Sequence, residues 1–267
     1  MHPIERLRYV ARSSGGDQRM LVRETATAIA ALDLDPAGLV VACRRLVERH
    51  PTAGALWWLC ANLVTSTDPF REAWSMAELI EDDATPSLLV DSIPEDATVC
   101  VVGWPDLAGE ALIRRGDITA LVIDGDGEGS SLARRLQRSG VDAEEISAIG
   151  TAAAVAASDL VLVEAVAAGP DGALCAIGSQ AAAAVAYCNE VPVWMVVGRG
   201  RRLPRPMWEA MLTRIADNGD GWDQDVETVP LAMVGNVFGP TGLMAADAAA
   251  LTAECPLAHE LLRMSAM

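Results

Sequence analysis

The sequence of 267 residues contains no lysine, so all twenty of its basic residues are arginines. This absence excludes a Walker lysine, a lysine Schiff base and a lysine general base in one step. Histidine is scarce as well, because only His2, His50 and His259 occur and they stand far apart, without the spacing of a zinc motif. The sequence therefore predicts neither a metal site nor a bound cofactor.

The sequence also has fewer basic than acidic residues, and its apolar runs are short. The 37 acidic residues outnumber the basic ones and give a formal net charge of -17. A nucleic-acid backbone is held chiefly by a positive surface, so direct binding of DNA or RNA is not expected. No apolar run approaches the roughly 20 residues that span a bilayer, and the N-terminus lacks the apolar core of a signal peptide. We expect a cytoplasmic protein without a membrane segment.

Paired cysteines are missing too. The six cysteines include no C-x-x-C pair, and most of them lie in apolar periodic segments. A free thiol in such a segment behaves as a small hydrophobic side chain. We expect the cysteines to be reduced and to belong to the core.

The first third of the chain has the period of amphipathic helices, with apolar residues three to four positions apart. Asp17, Asp35 and Asp68 stand where N-caps are expected, and Pro51 stands at an expected helix start. The segment TPSLLVDSIPEDA, with its two prolines, indicates a boundary between two regions. These features predict a helical N-terminal domain over residues 1–94.

After residue 94 the period changes to short apolar runs: TVCVV (98–102), TALVI (119–123), LVLV (160–163), VWMVV (193–197) and LAMV (231–234). Such runs, alternating with helical patterns, indicate a parallel sheet covered by helices on both sides. We predict an α/β protein in which a Rossmann-like domain, residues 95–267, follows the helical domain and has a mainly parallel, doubly wound sheet. Ligands of such folds bind at the carboxyl ends of the strands.

Two of the loops at these ends carry charge. The turn DGDGEGSS has the glycines of a phosphate-binding turn, yet Asp124, Asp126 and Glu128 would repel a pyrophosphate, which favours a simple turn. The loop GRGRRLPRP places Arg199 and Arg201 after the apolar run VWMVV. These arginines could contact an anion or belong to an exposed interface.

Four stretches, taken in order, resemble a known superfamily. They are RHPTAGALWWL (49–59), DLVLVEAVAAGPDGALCAIGSQ (159–180), EVPVWMVVGRGRRLP (190–204) and NVFGPT (236–241). The first is similar to a helix start R-P-T-A-x-x-L, the second to D-x-V-x-V-G-A-D followed by N-K-I-G-T, and the last to N-P-x-F-D-x-T-P. These motifs belong to the superfamily of the translation initiation factor two-B alpha, beta and delta subunits, methylthioribose-1-phosphate isomerase and ribose-1,5-bisphosphate isomerase. The chain resembles a divergent member.

The chain departs from the isomerase pattern where that pattern is catalytic. The family's cysteine falls at or beside Gly103, and its catalytic aspartate falls on Val166. The Asn-Lys pair falls on Cys175 and Ala176, and the arginine of R-P-T-A falls on His50. Isomerisation needs groups that move protons or hydride, which glycine and valine cannot do. The resemblance therefore implies a protein that has lost this chemistry.

Three functions stay open. The first is a non-catalytic, regulatory protein, similar to the initiation-factor subunits, that binds a phosphorylated or anionic small molecule such as a phosphosugar or a nucleotide. The second is a sugar-phosphate isomerase with substituted catalytic residues, for which Glu164, Cys175 and Asp106 are the candidates. The third is a structural oligomerisation module. The resemblance and an alanine-rich helix at residues 181–186 favour a homodimer or a higher oligomer.

An anionic ligand would have to be held by arginine or by a helix N-terminus, since lysine is absent. The predicted ligand cleft lies between the helical domain and the carboxyl ends of the strands. The candidate ligand-binding residues are Arg12, Arg49, His50, Gly103, Gly178, Ser179, Arg199 and Arg201.

Overall fold

A computed structural model describes residues 17–32, 35–125 and 127–263. Its first part is helical, with α1 (Gln18–Ala30), α2 (Pro36–Arg49), α3 (Gly54–Thr65), α4 (Pro69–Glu81) and α5 (Thr85–Ser92). The carboxylates of Asp17, Asp35 and Asp68 accept backbone N–H groups at the starts of α1, α2 and α4, at 2.9, 2.6 and 3.1 Å. These three predicted N-caps are therefore confirmed. Residues 1–16 of the predicted helical domain lie outside the described residues.

Two details of this helical part differ from the prediction. Pro51 does not begin a helix, because it lies in a turn and α3 starts three residues later at Gly54. The segment beginning at Thr85, predicted as a boundary between two regions, forms the helix α5. Its proline lies in the first turn, where the missing N–H has no helical partner to lose, and Leu89 of the same helix is fully buried.

Nine strands occur in the described residues: β1 (Thr98–Val102), β2 (Thr119–Asp124), β3 (Asp142–Ser147), β4 (Leu160–Gly169), β5 (Gly172–Ala176), β6 (Val193–Val196), β7 (Val226–Pro230), β8 (Asn236–Gly239) and β9 (Gly242–Ala245). The helices among them are α6 (Asp106–Arg115), α7 (Gly129–Arg138), α8 (Thr151–Ala156), α9 (Ser179–Cys188), α10 (Arg205–Ala216) and α11 (His259–Leu262). The main sheet has the order β3-β2-β1-β4-β6-β8-β9.

The pairs from β3 through β8 in this order are parallel, and only the edge strand β9 pairs antiparallel with its neighbour. The predicted α/β fold with a mainly parallel sheet is thereby confirmed. The strand β4 has two parts. Up to Glu164 it pairs in parallel with β1 and β6, and from Ala165 onward it forms an antiparallel hairpin with β5. Glu164 therefore lies where the parallel sheet ends.

The apolar run LAMV was predicted as a strand, and this prediction is wrong. Leu231–Met233 forms a single 3-10 turn, and the parallel strand at this place is β8, which begins at Asn236. The sequence also missed β3, whose residues DAEEIS are mostly exposed. As an edge strand it packs few of its side chains, so it lacks the apolar run by which the central strands are recognised.

One apolar core extends from the helical part into the α/β part. It includes Trp57 of α3, Trp208 of α10 and Leu261 of α11. The guanidinium of Arg214 lies 4.5 Å from the centroid of the Trp57 ring and donates a hydrogen bond of 2.7 Å to the carbonyl of Leu261. The domain division between residues 94 and 95 stays a prediction. No helix in the described ranges is both long and apolar enough to cross a membrane.

Candidate functional site

A cavity of about 660 Å³ lies at the carboxyl ends of the parallel strands, beside the start of α1. A volume of this size lies within the range of small-molecule sites. The described residues that line the cavity come from the first helices, the strand ends and the loops after them: Asp17, Gln18, Thr52, Val102, Trp104, Pro105, Asp106, Glu128, Glu164, Val166, Ala176, Arg201, Asp225 and Val226.

Gln18 joins the helical part to the end of the sheet at this cavity. Its amide Nε2 donates to the carbonyl of Val166 at 2.9 Å, and its Oε1 accepts the backbone N–H of Ala55 at 2.9 Å. The start of α3 approaches β4 so closely that a Cβ added at Gly54 would lie 2.7 Å from the Val166 carbonyl oxygen. The position on which the family's aspartate falls is thus fixed through its backbone.

Glu164 is tied to the N-terminus of α6. Its carboxylate accepts the backbone N–H groups of Asp106, Leu107 and Ala108 at 3.2, 2.9 and 2.8 Å. The Nη1 atom of Arg201 lies 2.8 Å from the same carboxylate and also donates to the carbonyl of Ala165. Both charges of this ion pair are almost completely buried, with 7% of the Glu164 side chain and 4% of the Arg201 side chain exposed. The helix N-terminus and the guanidinium together hold this carboxylate in place.

Among the described lining residues of the cavity, Asp106 has the most strongly shifted pKa. Burial, with the neighbouring charge of Glu164 as the second cause, raises the pKa of Asp106 to about 6, against the opposing effect of Arg201. A carboxyl with such a pKa exchanges protons near neutral pH. Among the described lining residues, Asp106 is therefore the one whose protonation changes closest to neutral pH.

The other two catalytic candidates are differently placed. Cys175 is fully buried in β5 and does not line the cavity; burial, and then the charges of Glu164 and Glu227, raise the pKa of this thiol far above its usual range. Such a thiol is a poor nucleophile. Glu164 lines the cavity, but its carboxylate is taken up by four hydrogen-bond donors. Neither is free to act as the family's missing base.

Of the predicted ligand-binding residues in the described ranges, Arg201 is the one that lines the cavity. Arg49 is the exposed last residue of α2, and His50 follows it as the C-cap. The backbone N–H of Arg199 donates to Asp83 at 2.9 Å, away from the cavity lining. Arg12 lies outside the described residues.

The three remaining candidates shape the backbone around the site without lining it. Gly103 is buried with a φ of 64° and donates its N–H to the carbonyl of Ile123 at 2.9 Å. Gly178 has a φ of 94° and is the N-cap of α9, which begins at the buried Ser179. At the first turn of this helix the carboxylate of Glu227 accepts the N–H of the following residue, Gln180, at 2.7 Å.

The turn DGDGEGSS is likewise occupied by a side chain of the protein. Asp124 accepts the N–H groups of Gly127 and Gly129 at 2.8 and 3.0 Å. These are the groups that would bind a phosphate in a nucleotide-binding turn. The interpretation of this segment as a simple turn is consistent with that geometry.

The described lining of the cavity is negatively charged. Five carboxylate side chains contribute to it, and they are those of Asp17, Asp106, Glu128, Glu164 and Asp225. The single guanidinium of the described lining belongs to Arg201, which is paired with one of these carboxylates. The cluster of free arginines that the sequence led us to expect is not found among these residues.

No protein-family model and no curated protein matches the sequence. Solved structures do match. The translation initiation factor eIF-2B of Pyrococcus horikoshii OT3 is similar over 91% of this chain and 96% of its own, with 15% identity and a TM-score of 0.74. The tetrameric eIF2B-beta2-delta2 complex of Chaetomium thermophilum contains a chain that is 13% identical, with a TM-score of 0.70 and coverage of 91% and 90%.

A third structure, eIF2B delta from Chaetomium thermophilum, is 16% identical and has a TM-score of 0.67, with coverage of 88% of this chain and 96% of that one. At such identities the likeness shows the fold alone. The fold implied by the sequence motifs, a helical N-terminal region followed by a Rossmann-like region, is confirmed. The activity is a separate question, because one fold hosts many functions.

Proposed function

We propose that this chain, which has the fold of eIF2B subunits, is a non-catalytic, regulatory protein that binds a small molecule in the cavity beside Gln18 and Glu164. The observation that carries the proposal is the state of Glu164, whose carboxylate is held by α6 and Arg201. The carboxylate is therefore not available as a catalytic base. The cavity has the volume of a ligand site, but Gly103 and Val166, where the sequence resemblance places the isomerases' cysteine and aspartate, provide no reactive group. A cytoplasmic location belongs to the same proposal.

The charge of the lining argues against the anionic ligand that was expected from the sequence. A phosphosugar or a nucleotide would bring its negative charge next to several carboxylates, without a free guanidinium among the described lining residues. A neutral polyhydroxylated molecule or an amine suits this lining better, because carboxylates accept hydrogen bonds from hydroxyl and ammonium groups. The proposed ligand is therefore a neutral or positively charged polar molecule.

Self-association is the second part of the proposal. The solved tetrameric complex of beta and delta subunits is one neighbour in structure, which favours an oligomer for this chain as well. On the surface, Tyr187 of α9 is 73% exposed and Ile149, just before α8, is 97% exposed. Ala181 of α9 is exposed too. Large exposed apolar and aromatic side chains are frequent at contact surfaces between subunits.

Native mass spectrometry of the purified protein tests the ligand proposal. We expect a co-purified molecule without phosphate, or stabilisation by members of a panel of polyols and amines. The variant Ala176→Trp, which fills the cavity at the end of β5, should lose the ligand, while Ala37→Trp on the exposed surface of α2 should keep it. Binding of phosphosugars alone would contradict the proposal of a neutral or positively charged ligand. If no compound of either class binds, the structural oligomerisation module remains as the function.

A further inference from the structure

The N-terminus of α6 and the side chain of Arg201 form a complete binding site for a carboxylate. Three backbone N–H groups and one guanidinium converge on one point, each within 3.2 Å of a carboxylate oxygen. The side chain of Arg201 is 96% buried, since 4% of it is exposed. Donors arranged in this way are those that proteins use for anionic ligands.

We propose that this place is an anion site which the protein fills with its own Glu164. The side chain acts as an internal ligand, and it is the residue that excludes anionic molecules from this part of the cavity. Replacing Glu164 by a residue without a carboxylate should expose the site to small oxyanions from solution. This inference concerns the donors of α6 and Arg201, and it does not depend on which molecule the cavity binds.

The physical reason is the cost of an unpaired buried charge. Without Glu164 the guanidinium of Arg201 keeps one hydrogen-bond acceptor, the carbonyl of Ala165, together with the nearby charge of Asp106, and the first N–H groups of α6 lose their acceptor. A buried cation that loses its hydrogen-bonded counter-charge is destabilising, so an anion from solution gains free energy by entering. Formate is the suitable probe, because it reproduces the carboxylate of the missing side chain and is small enough for the space that it leaves.

The matched variants are Glu164→Ala, which empties the place, and Glu164→Gln, which fills it with a neutral amide of nearly the same size. The double variant Glu164→Ala/Arg201→Ala removes both members of the ion pair. Sodium formate should raise the melting temperature of the first variant by about 3 °C or more, relative to sodium chloride at equal ionic strength. The parent protein, the glutamine variant and the double variant should each change by less than about 1 °C.

If Glu164→Ala does not fold in chloride, its refolding yield with and without formate becomes the measurement, and recovery in formate alone supports the proposal. The proposal is overturned if the alanine variant folds and responds to formate no more than the parent protein does. It is also overturned if the variant stays unfolded in both salts, or if the double variant responds equally. None of these results bears on the natural ligand, so the proposed function and this site can fail separately.

Discussion

Gln18 and Val166 are joined by a hydrogen bond of 2.9 Å that links the first described helix to the strand at the centre of the sheet. The same glutamine holds the N-terminus of α3 through Ala55. Three elements distant in sequence therefore meet at one buried side chain. This contact also fixes the backbone at Val166, the position on which the sequence resemblance places the isomerases' aspartate.

Gln18→Ala should destabilise the protein by about 2 kcal/mol, because it leaves the buried N–H of Ala55 and the partly buried carbonyl of Val166 without this partner. Urea unfolding measures this free energy. The control is Gln137→Ala, which removes one hydrogen bond of 2.7 Å from an exposed residue to the carbonyl of Ala143 and should cost less than about 1 kcal/mol. Equal losses in the two variants would show that the link between α1, α3 and β4 is unimportant.

The raised pKa of Asp106 predicts a pH-dependent effect of Asp106→Asn. The folded pKa of about 6 lies above the unfolded value near 4, so the stability present below pH 4 is lost as the pH rises through 6. At pH 8 the asparagine variant should exceed the parent protein by roughly 2 kcal/mol, and the difference should shrink towards pH 4. Melting curves of both proteins across this range test the sign.

The exposed Asp91 provides the control for this titration. Asp91→Asn should change the free energy of unfolding by no more than about 0.5 kcal/mol at either pH. A variant at Asp106 that is less stable than the parent at pH 8 would show that the ionised carboxylate is stabilised in the cavity.

Gly169 at the end of β4 lies directly against the indole of Trp208. An added Cβ would come within 2.2 Å of this ring, and the ring is buried in the core that joins the two parts of the chain. Gly169→Ala should therefore cost about 1 to 3 kcal/mol or more. At Gly221 an added Cβ meets nothing within 4 Å, so Gly221→Ala should be nearly neutral in the same thermal unfolding assay. Two neutral variants would contradict the close packing at Trp208.

The proposed oligomer predicts that a charge at Tyr187 weakens association. Tyr187→Glu should shift the sedimentation of the protein at micromolar concentration towards a 28.1 kDa monomer, because a carboxylate is poorly accommodated between apolar surfaces. Trp74 of α4 is also exposed, at 53%, and Trp74→Glu serves as the control that should leave the oligomer intact. A parent protein that sediments as a monomer at these concentrations would end this part of the proposal.

The sequence predicted the central strands because they are buried on both faces and therefore read as short apolar runs. β1 was predicted with its observed bounds, Thr98–Val102, and β2 with an error of one residue. The edge strand β3 and the strands β5 and β7 were missed. Most residues of β3 are exposed and only one residue of β7 is buried, so neither strand shows the apolar run of the central strands. β5 is buried, but it is short and consists mainly of small residues.

The candidate site was predicted only in part. The sequence analysis named Glu164 and Arg201. It could not show that both meet the N-terminus of α6, because that contact depends on how three distant segments of the chain fold together. A signal for Gln18 did exist, because it continues the buried stripe of α1 that contains Val22 and Ile29. A glutamine on such a stripe needs buried partners. The acidic character of the lining could not be read from the sequence, since its carboxylates come from five separate places in the chain.

The central claim is that the cavity has lost isomerase chemistry, and an isomerisation assay tests it most directly. Methylthioribose-1-phosphate and ribose-1,5-bisphosphate are incubated separately with the purified protein and followed by proton magnetic resonance, with Asp106→Asn as a parallel sample. The account predicts no conversion above that of buffer in either sample. Turnover of about 1 to 1000 per second by the parent protein, the range of ordinary enzymes, would contradict it.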